Sequence, residues 1–394
     1  MDHPEQRGHK DKSRDKNTLL PLSLSSRLFK KGLLWREIKK STETHNSGTM
    51  TDFDRLIDRY RQFGGIKLAW EYMKMGLTWP LLKAIFSCVV KGRSLKNVYP
   101  VIQSRTQPML VDMFSPIAHS LYEKYSGDRC AYTGNTSGER KKVWFCWLQG
   151  MEHSPALVKA CLESLRERLT DADIVIIDGE SYKEWIGLPE YVTEKYRNGK
   201  IPPALFSDMI RLELLAEHGG VWIDSTVLCT VPSSDEHGQH APSWREITEA
   251  ELFVFQYTKP GCKWSGSISN WFIGANRDNI IIKMVRDMLY EYWRVYDVTI
   301  DYYIFHLFFA IAARECPDMI RRMPYGWSIP CITLGEHLEE DFSENKWEKF
   351  TKRVHWHKLN YRNEKRMKGN KKSYYNYIID RYIPYKKLYD KTCK

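Results

Sequence analysis

The stretch FSDMIRLELLAEHGGVWIDSTV, Phe206 to Val227, gathers several side chains capable of chemistry. Asp208 and Arg211 are three residues apart, so a helix puts them on one face. There they can contact the hydroxyls and phosphates of a ligand, or neutralise each other as a local ion pair. Further on, Asp224 ends a short apolar run and is followed by two hydroxyl residues, Ser225 and Thr226. A carboxylate so placed can hold a divalent cation, directly or through water, or accept hydrogen bonds from sugar hydroxyls. It can equally cap the next turn.

The elements that position these residues are legible in the apolar pattern. A helix is expected from about Pro203 to His218, stopped by Gly219-Gly220. VWFCWL (Val143–Leu148), ADIVIIDG (Ala172–Gly179) and VWID (Val221–Asp224) are continuous apolar runs of buried-strand length. HSPALVKACLESLRERL lies between the first two, with Leu157, Cys161, Leu165 and Leu169 on one helical face. Strands alternating with helices imply an α/β domain with a mostly parallel central sheet. ELFVFQ (Glu251–Gln256) reads as a further strand, and helices follow from Asn279 and Asp301.

In such a sheet, ligands bind beyond the carboxyl ends of the strands. Gln149, Asp178 and Asp224 each lie just past a strand there. After the first strand the chain reads QGMEHSP, which is neither a GxGxxG fingerprint nor a phosphate-cradling loop. A nucleotide diphosphate at this edge therefore needs another counter-charge, and a carboxylate-held metal is one solution.

The rest of the chain sets limits. Its 394 residues suit one large domain with additions, and 42% apolar content supports a sizeable core. The nine cysteines form no CxxC, which fits reduced thiols in a cytosolic protein rather than a zinc ribbon. Net charge is +11, and from Asn345 to Lys394 there are 16 Lys/Arg against 4 Asp/Glu. That end suits an anionic partner (nucleic acid, anionic membrane or phosphorylated substrate) or is simply a solvated face. Residues 1–50 are polar and basic and are expected to be flexible. Within them SRLFKKGLLWREIKK (Ser26–Lys40) suits an amphipathic helix on an anionic membrane, or a basic helix packed on the domain. Residues 51–130 read as helical, Ala131–Lys142 as a linker, 141–377 as the main domain and 378–394 as a basic tail. No secretory leader is evident in the charged amino end, and no apolar run is long enough to cross a bilayer.

PPALFSDMIRLELLAEHGGVWIDSTV (Pro202–Val227) resembles the core motif of the capsular polysaccharide synthesis proteins, which are similar to the family 32 glycosyltransferases. The shared pattern is a Ser-Asp-x-x-Arg helix, a Gly-Gly turn and a strand ending in an Asp-x-Asp-like triplet. The resemblance implies a GT-A-like nucleotide-sugar-binding fold with helical amino-terminal additions. It implies hexosyl transfer from a nucleotide diphosphate sugar, a UDP-sugar by expectation, with retention, to a glycan or lipid-linked glycan acceptor. By carry-over Trp147, Gln149, Asp178, Ser207, Asp208, Arg211, Asp224 and Lys358 contact the donor. Asp224, Asp301 and Asn270 lie at the reacting centre. Asp224, Thr226 and His357 hold Mn²⁺ or Mg²⁺. In this triplet Thr226 replaces the second acid, and a hydroxyl is a poorer ligand than a carboxylate, which puts metal dependence in question. Asp301 also has a simpler reading as a helix cap, and His357 as a structural residue of VHWHKL.

The expected place of action is the cytoplasm, at the inner face of the plasma membrane, without nucleic acid. The rival readings are a basic nucleic-acid-binding protein, against which the lack of a recognised binding motif speaks, and an inactive scaffold of the same fold.

Overall fold

A computed structural model of the chain describes residues 58–91, 94–127, 141–230, 239–362 and 364–383. The expected flexible segment at 1–50, the helix at Ser26–Lys40 and most of the linker and tail lie outside the described residues. The amino-terminal helices are α1 (Ile66–Lys74), α2 (Thr78–Val90) and α3 (Tyr99–Gly127). Then come β1 (Lys141–Cys146), α4 (Ala156–Arg168), β2 (Ala172–Ile177), α5 (Glu190–Arg197), α6 (Pro203–His218) and β3 (Gly220–Ile223). They are followed by β4 (Val227–Cys229), α7 (Trp244–Glu249), β5 (Leu252–Gln256), β6 (Ile268–Ala275), α8 (Ile280–Val295) and α9 (Ile304–Glu315). The carboxyl portion adds α10 (Pro317–Arg322), α11 (Ser328–Glu336), α12 (Glu344–Arg353), β7 (Trp356–Lys358), α13 (Glu364–Met367) and α14 (Tyr374–Tyr382).

Five strands form the central sheet in the order β2-β1-β3-β6-β5. β1 is parallel to both β2 and β3, whereas β6 runs antiparallel between β3 and β5. Four strands thus point one way, and the carboxyl ends of β1, β2 and β3 share an edge. Both faces of the sheet are covered. Trp144, Trp222, Val254 and Ile273 face a core shared with α3, α6, α8 and α9. Val143, Phe145, Val221, Ile223, Phe253 and Phe255 face the other side, with α4, Trp244 and Trp356. Strand alternation over two buried faces explains why these segments read as unbroken apolar runs.

The amino-terminal helices are not a separate unit. Leu110, Phe114 and Ala118 of α3 are buried in the main core, and Phe114 packs on Phe308 at 4.4 Å between ring centres. At the other end, α14 crosses the expected boundary at 377, and Ile378 and Tyr382 are buried. Among the described residues all seven cysteines are free.

The turn between α6 and β3 requires its glycines. Gly219 has φ 65°, and a Cβ there would lie 2.5 Å from the Arg277 backbone nitrogen. Gly220 has φ 95°, with Lys142 O equally close to any Cβ. The backbone thus passes between β1 and the loop after β6, setting where α6 ends and β3 begins.

Beyond the main sheet, β4 and β7 form a two-stranded antiparallel ladder pairing Val227 with Lys358, Leu228 with His357 and Cys229 with Trp356. No local pattern announces this pairing, yet it brings the late Lys358 to the edge where Asp224 lies.

A carboxylate held by three cationic or donor groups at the sheet edge

Asp224 is the first residue after β3. Its backbone N–H donates to Trp271 O at 2.9 Å, and its carbonyl accepts from Val227 N at 2.9 Å. The turn is therefore closed by the backbone, and the carboxylate is not its cap. Oδ1 accepts from Trp222 Nε1 at 2.9 Å and from Arg211 Nη2 at 3.1 Å. Oδ2 accepts from Lys358 Nζ at 2.6 Å, and the same ammonium donates to Thr226 Oγ1 at 2.8 Å. Partial burial pushes the Asp224 carboxyl up, but Lys358 and Arg211 together outweigh it and hold the group below its ordinary value.

Arg211 is the hub beneath. Its Nη1 donates to Asn270 O at 2.5 Å and lies 3.1 Å from Asp208 Oδ1. The guanidinium stacks over Trp222 at 4.8 Å, and its Nε has no partner. Asn270 Nδ2 donates to Asp208 Oδ1 at 3.0 Å. The Asp208–Arg211 pair on one helical face thus exists as an ion pair, and Arg211 also reaches from α6 to β3 and β6. Accessibility divides the cluster: the Arg211 side chain is 5% exposed, whereas Asp224 and Lys358 are 24% and 25% exposed. Arg211 and Asp208 form the buried part of the cluster, and Asp224 and Lys358 its accessible part.

Burial pushes the Asp208 carboxyl up to about 6, and Asp224 adds to this, against Arg211 and Asn270. In the unfolded chain the group titrates near 3.8. Between these values the folded chain binds more protons, so this group makes stability fall as pH rises from about 4 to about 6. Asp208→Asn keeps an acceptor for Asn270. Its expected effect is to flatten that fall in urea midpoints measured from pH 4 to 7; an unchanged slope would show that Asp208 does not carry it.

Other expected donor residues share the edge without joining this cluster. Trp147 follows β1, meets Tyr361 edge to face at 5.6 Å, and its indole N–H has no partner. Ser207 lies close enough to the Cys146 thiol, at the end of β1, to lower it against the larger upward push of burial. Gln149 is exposed. Asp178 Oδ1 accepts from the backbone N–H groups of Glu180 and Ser181 at 2.9 and 2.8 Å, so its carboxylate closes its own turn.

Asp301 has other partners. Its buried carboxylate accepts from Tyr303 N at 2.8 Å, Gln107 Nε2 at 3.2 Å and Thr106 Oγ1 at 3.4 Å. It fastens α3 to the loop before α9, a turn-closing role close to the cap reading.

The expected metal ligands do not fit a cation in this arrangement. The Lys358 ammonium already bridges the Asp224 and Thr226 oxygens that would bind it. His357 is fully buried and its Nε2 pairs with Thr230 Oγ1 at 3.1 Å; strand alternation turns it away from Lys358. Burial and His355 push the His357 ring down to about 3, so it is neutral. Among the described residues no group of three or more His, Cys, Asp or Glu could hold a metal ion.

Two contributors escaped the sequence pattern. Trp222 reads as one more apolar strand residue, yet it donates to Asp224 and carries Arg211 on its ring. In α9, the half-buried His306 lies near enough to Arg211 for that charge, after burial, to lower its ring to about 4. A polar residue inside DYYIFHLFF is the available signal for it.

A family profile described as "Capsular polysaccharide synthesis protein" matches residues 103–378. No curated protein matches the chain. A solved structure described as "PaToxG Glycosyltransferase" is similar at 13% identity and a TM-score of 0.32, over 63% of this chain and 93% of that one. The matched region runs from within α3 through the sheet, Arg211, Asp224 and Lys358 to α14, well over half of the sequence, and the chain belongs to the capsular polysaccharide synthesis protein family.

Proposed function

We propose that the chain is a glycosyltransferase moving a sugar of hexose type from a nucleotide diphosphate sugar, a UDP-sugar in the first instance, to a glycan or lipid-linked glycan in surface-polysaccharide synthesis. One observation carries the reading: at the carboxyl edge of a mostly parallel sheet, a partly exposed carboxylate is paired with a partly exposed ammonium over a buried arginine hub. Family membership and the unpartnered Trp147 indole beside this edge agree with it.

In the reaction, the bond from the anomeric carbon to the β-phosphate oxygen breaks and negative charge develops on the diphosphate. Lys358 is the group that meets this charge, in the role first assigned to a metal. Asp224 accepts from donor hydroxyls while Trp222 and Arg211 fix its rotamer. Retention follows if the acceptor oxygen attacks from the face the diphosphate leaves and passes its proton to a phosphate oxygen.

The test is calorimetric titration with UDP, with and without Mn²⁺, on the wild type and on Asp224→Asn. Binding without Mn²⁺, weakened at least about tenfold in the variant, is expected, since a charge-assisted contact contributes about 1.5–3 kcal/mol. Binding only with Mn²⁺ would return the counter-charge to a metal. Equal affinity in wild type and variant would remove Asp224 from the donor site, and no binding of UDP, GDP or CMP would overturn the reading.

A further inference from the structure

Helices α1 and α2 present apolar faces that nothing among the described residues covers. On α1 the exposed residues are Ile66, Trp70 and Met73; on α2 they are Trp79, Leu82, Phe86 and Val90. Ile66 is 86% exposed, Trp79 75% and Phe86 69%. Their spacing of three and four residues puts each set on one helical face, and Gly76 stands in the short turn that joins the two helices. Large exposed apolar patches on soluble domains mark interaction sites.

The charge around them points to the occupant. From Ile66 to Val98 the sequence holds six Lys/Arg and one carboxylate, Glu71, which Lys74 pairs at 2.9 Å. Lys67, Lys74, Lys83 and Lys91 are exposed. A second copy of the chain would set these cations against their own kind, at a cost in affinity. An anionic bilayer offers the opposite charge, headgroup depth for Trp70 and Trp79, and a layer to which lysines extend along their own stems. We propose that α1 and α2 form a membrane-docking surface that inserts Trp70, Trp79 and Phe86 into the interface of an anionic leaflet.

The surface is tied to the rim of the site. Phe63, just before α1, stacks on Tyr302 at 5.9 Å and its carbonyl accepts from Thr299 N at 2.9 Å. Tyr72 Oη donates to Ile300 O at 3.1 Å. Tyr302 lies near enough to Asp208 and Asp224 for their charges, after burial, to raise its phenol. A loop held by the docking helices thus borders the carboxylate cluster, an arrangement suited to an acceptor carried on lipid. Docking itself does not rest on the sugar-transfer reading.

The experiment is co-sedimentation of the full chain with vesicles of phosphatidylcholine containing phosphatidylglycerol, against phosphatidylcholine alone. The full chain is compared with a Trp70→Ser/Trp79→Ser/Phe86→Ser variant, whose unchanged urea midpoint shows that it folds. Expected are binding to the anionic vesicles and a loss of at least about tenfold in the variant. Lys67→Glu/Lys83→Glu is expected to weaken binding and reduce its salt dependence. Equal binding by wild type and triple variant would overturn the proposal and move membrane contact elsewhere in the chain. So would absence of binding by the wild type. Gel filtration would then give the occupant: a dimer that the triple variant abolishes means a second copy, and a monomer means residues of the chain itself.

Discussion

Lys358→Ala is expected to lower kcat for sugar transfer by about 10²–10³-fold, with a smaller change in KM. The basis is position and timing. The ammonium is 2.6 Å from Asp224 and 2.8 Å from Thr226, partly exposed, and paired across a strand ladder that fixes its backbone. Ground-state binding keeps the donor's charge largely where it was, whereas bond breaking concentrates it on the β-phosphate. A donor already in place at that moment is worth most then, and losing one such group costs about 10²–10³-fold. Initial rates with saturating nucleotide sugar measure the effect. A variant that turns over at the wild-type rate would remove Lys358 from the chemistry. One that loses only nucleotide affinity would make Lys358 a binding residue.

Arg211→Met is expected to destabilise the fold by about 3–5 kcal/mol. The methionine matches most of the volume but leaves Asp208 without its cation in a buried position, and Asp224 with Lys358 and Trp222 alone. It also leaves Asn270 O without its donor and Trp222 without the guanidinium on its ring. The chain can relieve the worst of this by protonating Asp208, so the loss should be larger at pH 8 than at pH 5. Urea unfolding at both values checks the sign and the size. A change under about 1 kcal/mol would mean that the hub is replaceable and that α6, β3 and β6 hold together without it.

The sheet was legible because its strands are buried on both faces, which leaves short continuous apolar runs: Val143–Leu148 was expected, Lys141–Cys146 is found. The helix Pro203–His218 was legible to the residue, since a first-turn proline and two glycines bracket it. β6 was not, although Asn270 lies within it. An antiparallel insertion between β3 and β5 leaves no trace in local periodicity. The Asp224 side of the site could be found from chain chemistry, a carboxylate past a strand with hydroxyls after it. Its depth could not: Trp222 and Arg211 are read as core and as ion pair until the fold makes them one unit. Asp301 shows the converse limit. A carboxylate before a helix looks alike in sequence whether it faces a ligand or, as here, three donors of its own chain.

The ladder between β4 and β7 has a consequence for synthesis. A ribosome makes Asp224 134 residues before Lys358. During that interval the main sheet can already take its shape, since its last strand, β6, ends at Ala275. The carboxylate waits at the edge with one cation of two. On the proposed mechanism, a nascent or prematurely terminated chain could house the donor's hydroxyls but could not meet the charge of its departing diphosphate. Activity would then switch on only once the carboxyl portion has returned to the sheet, so incomplete chains would not turn over activated sugar.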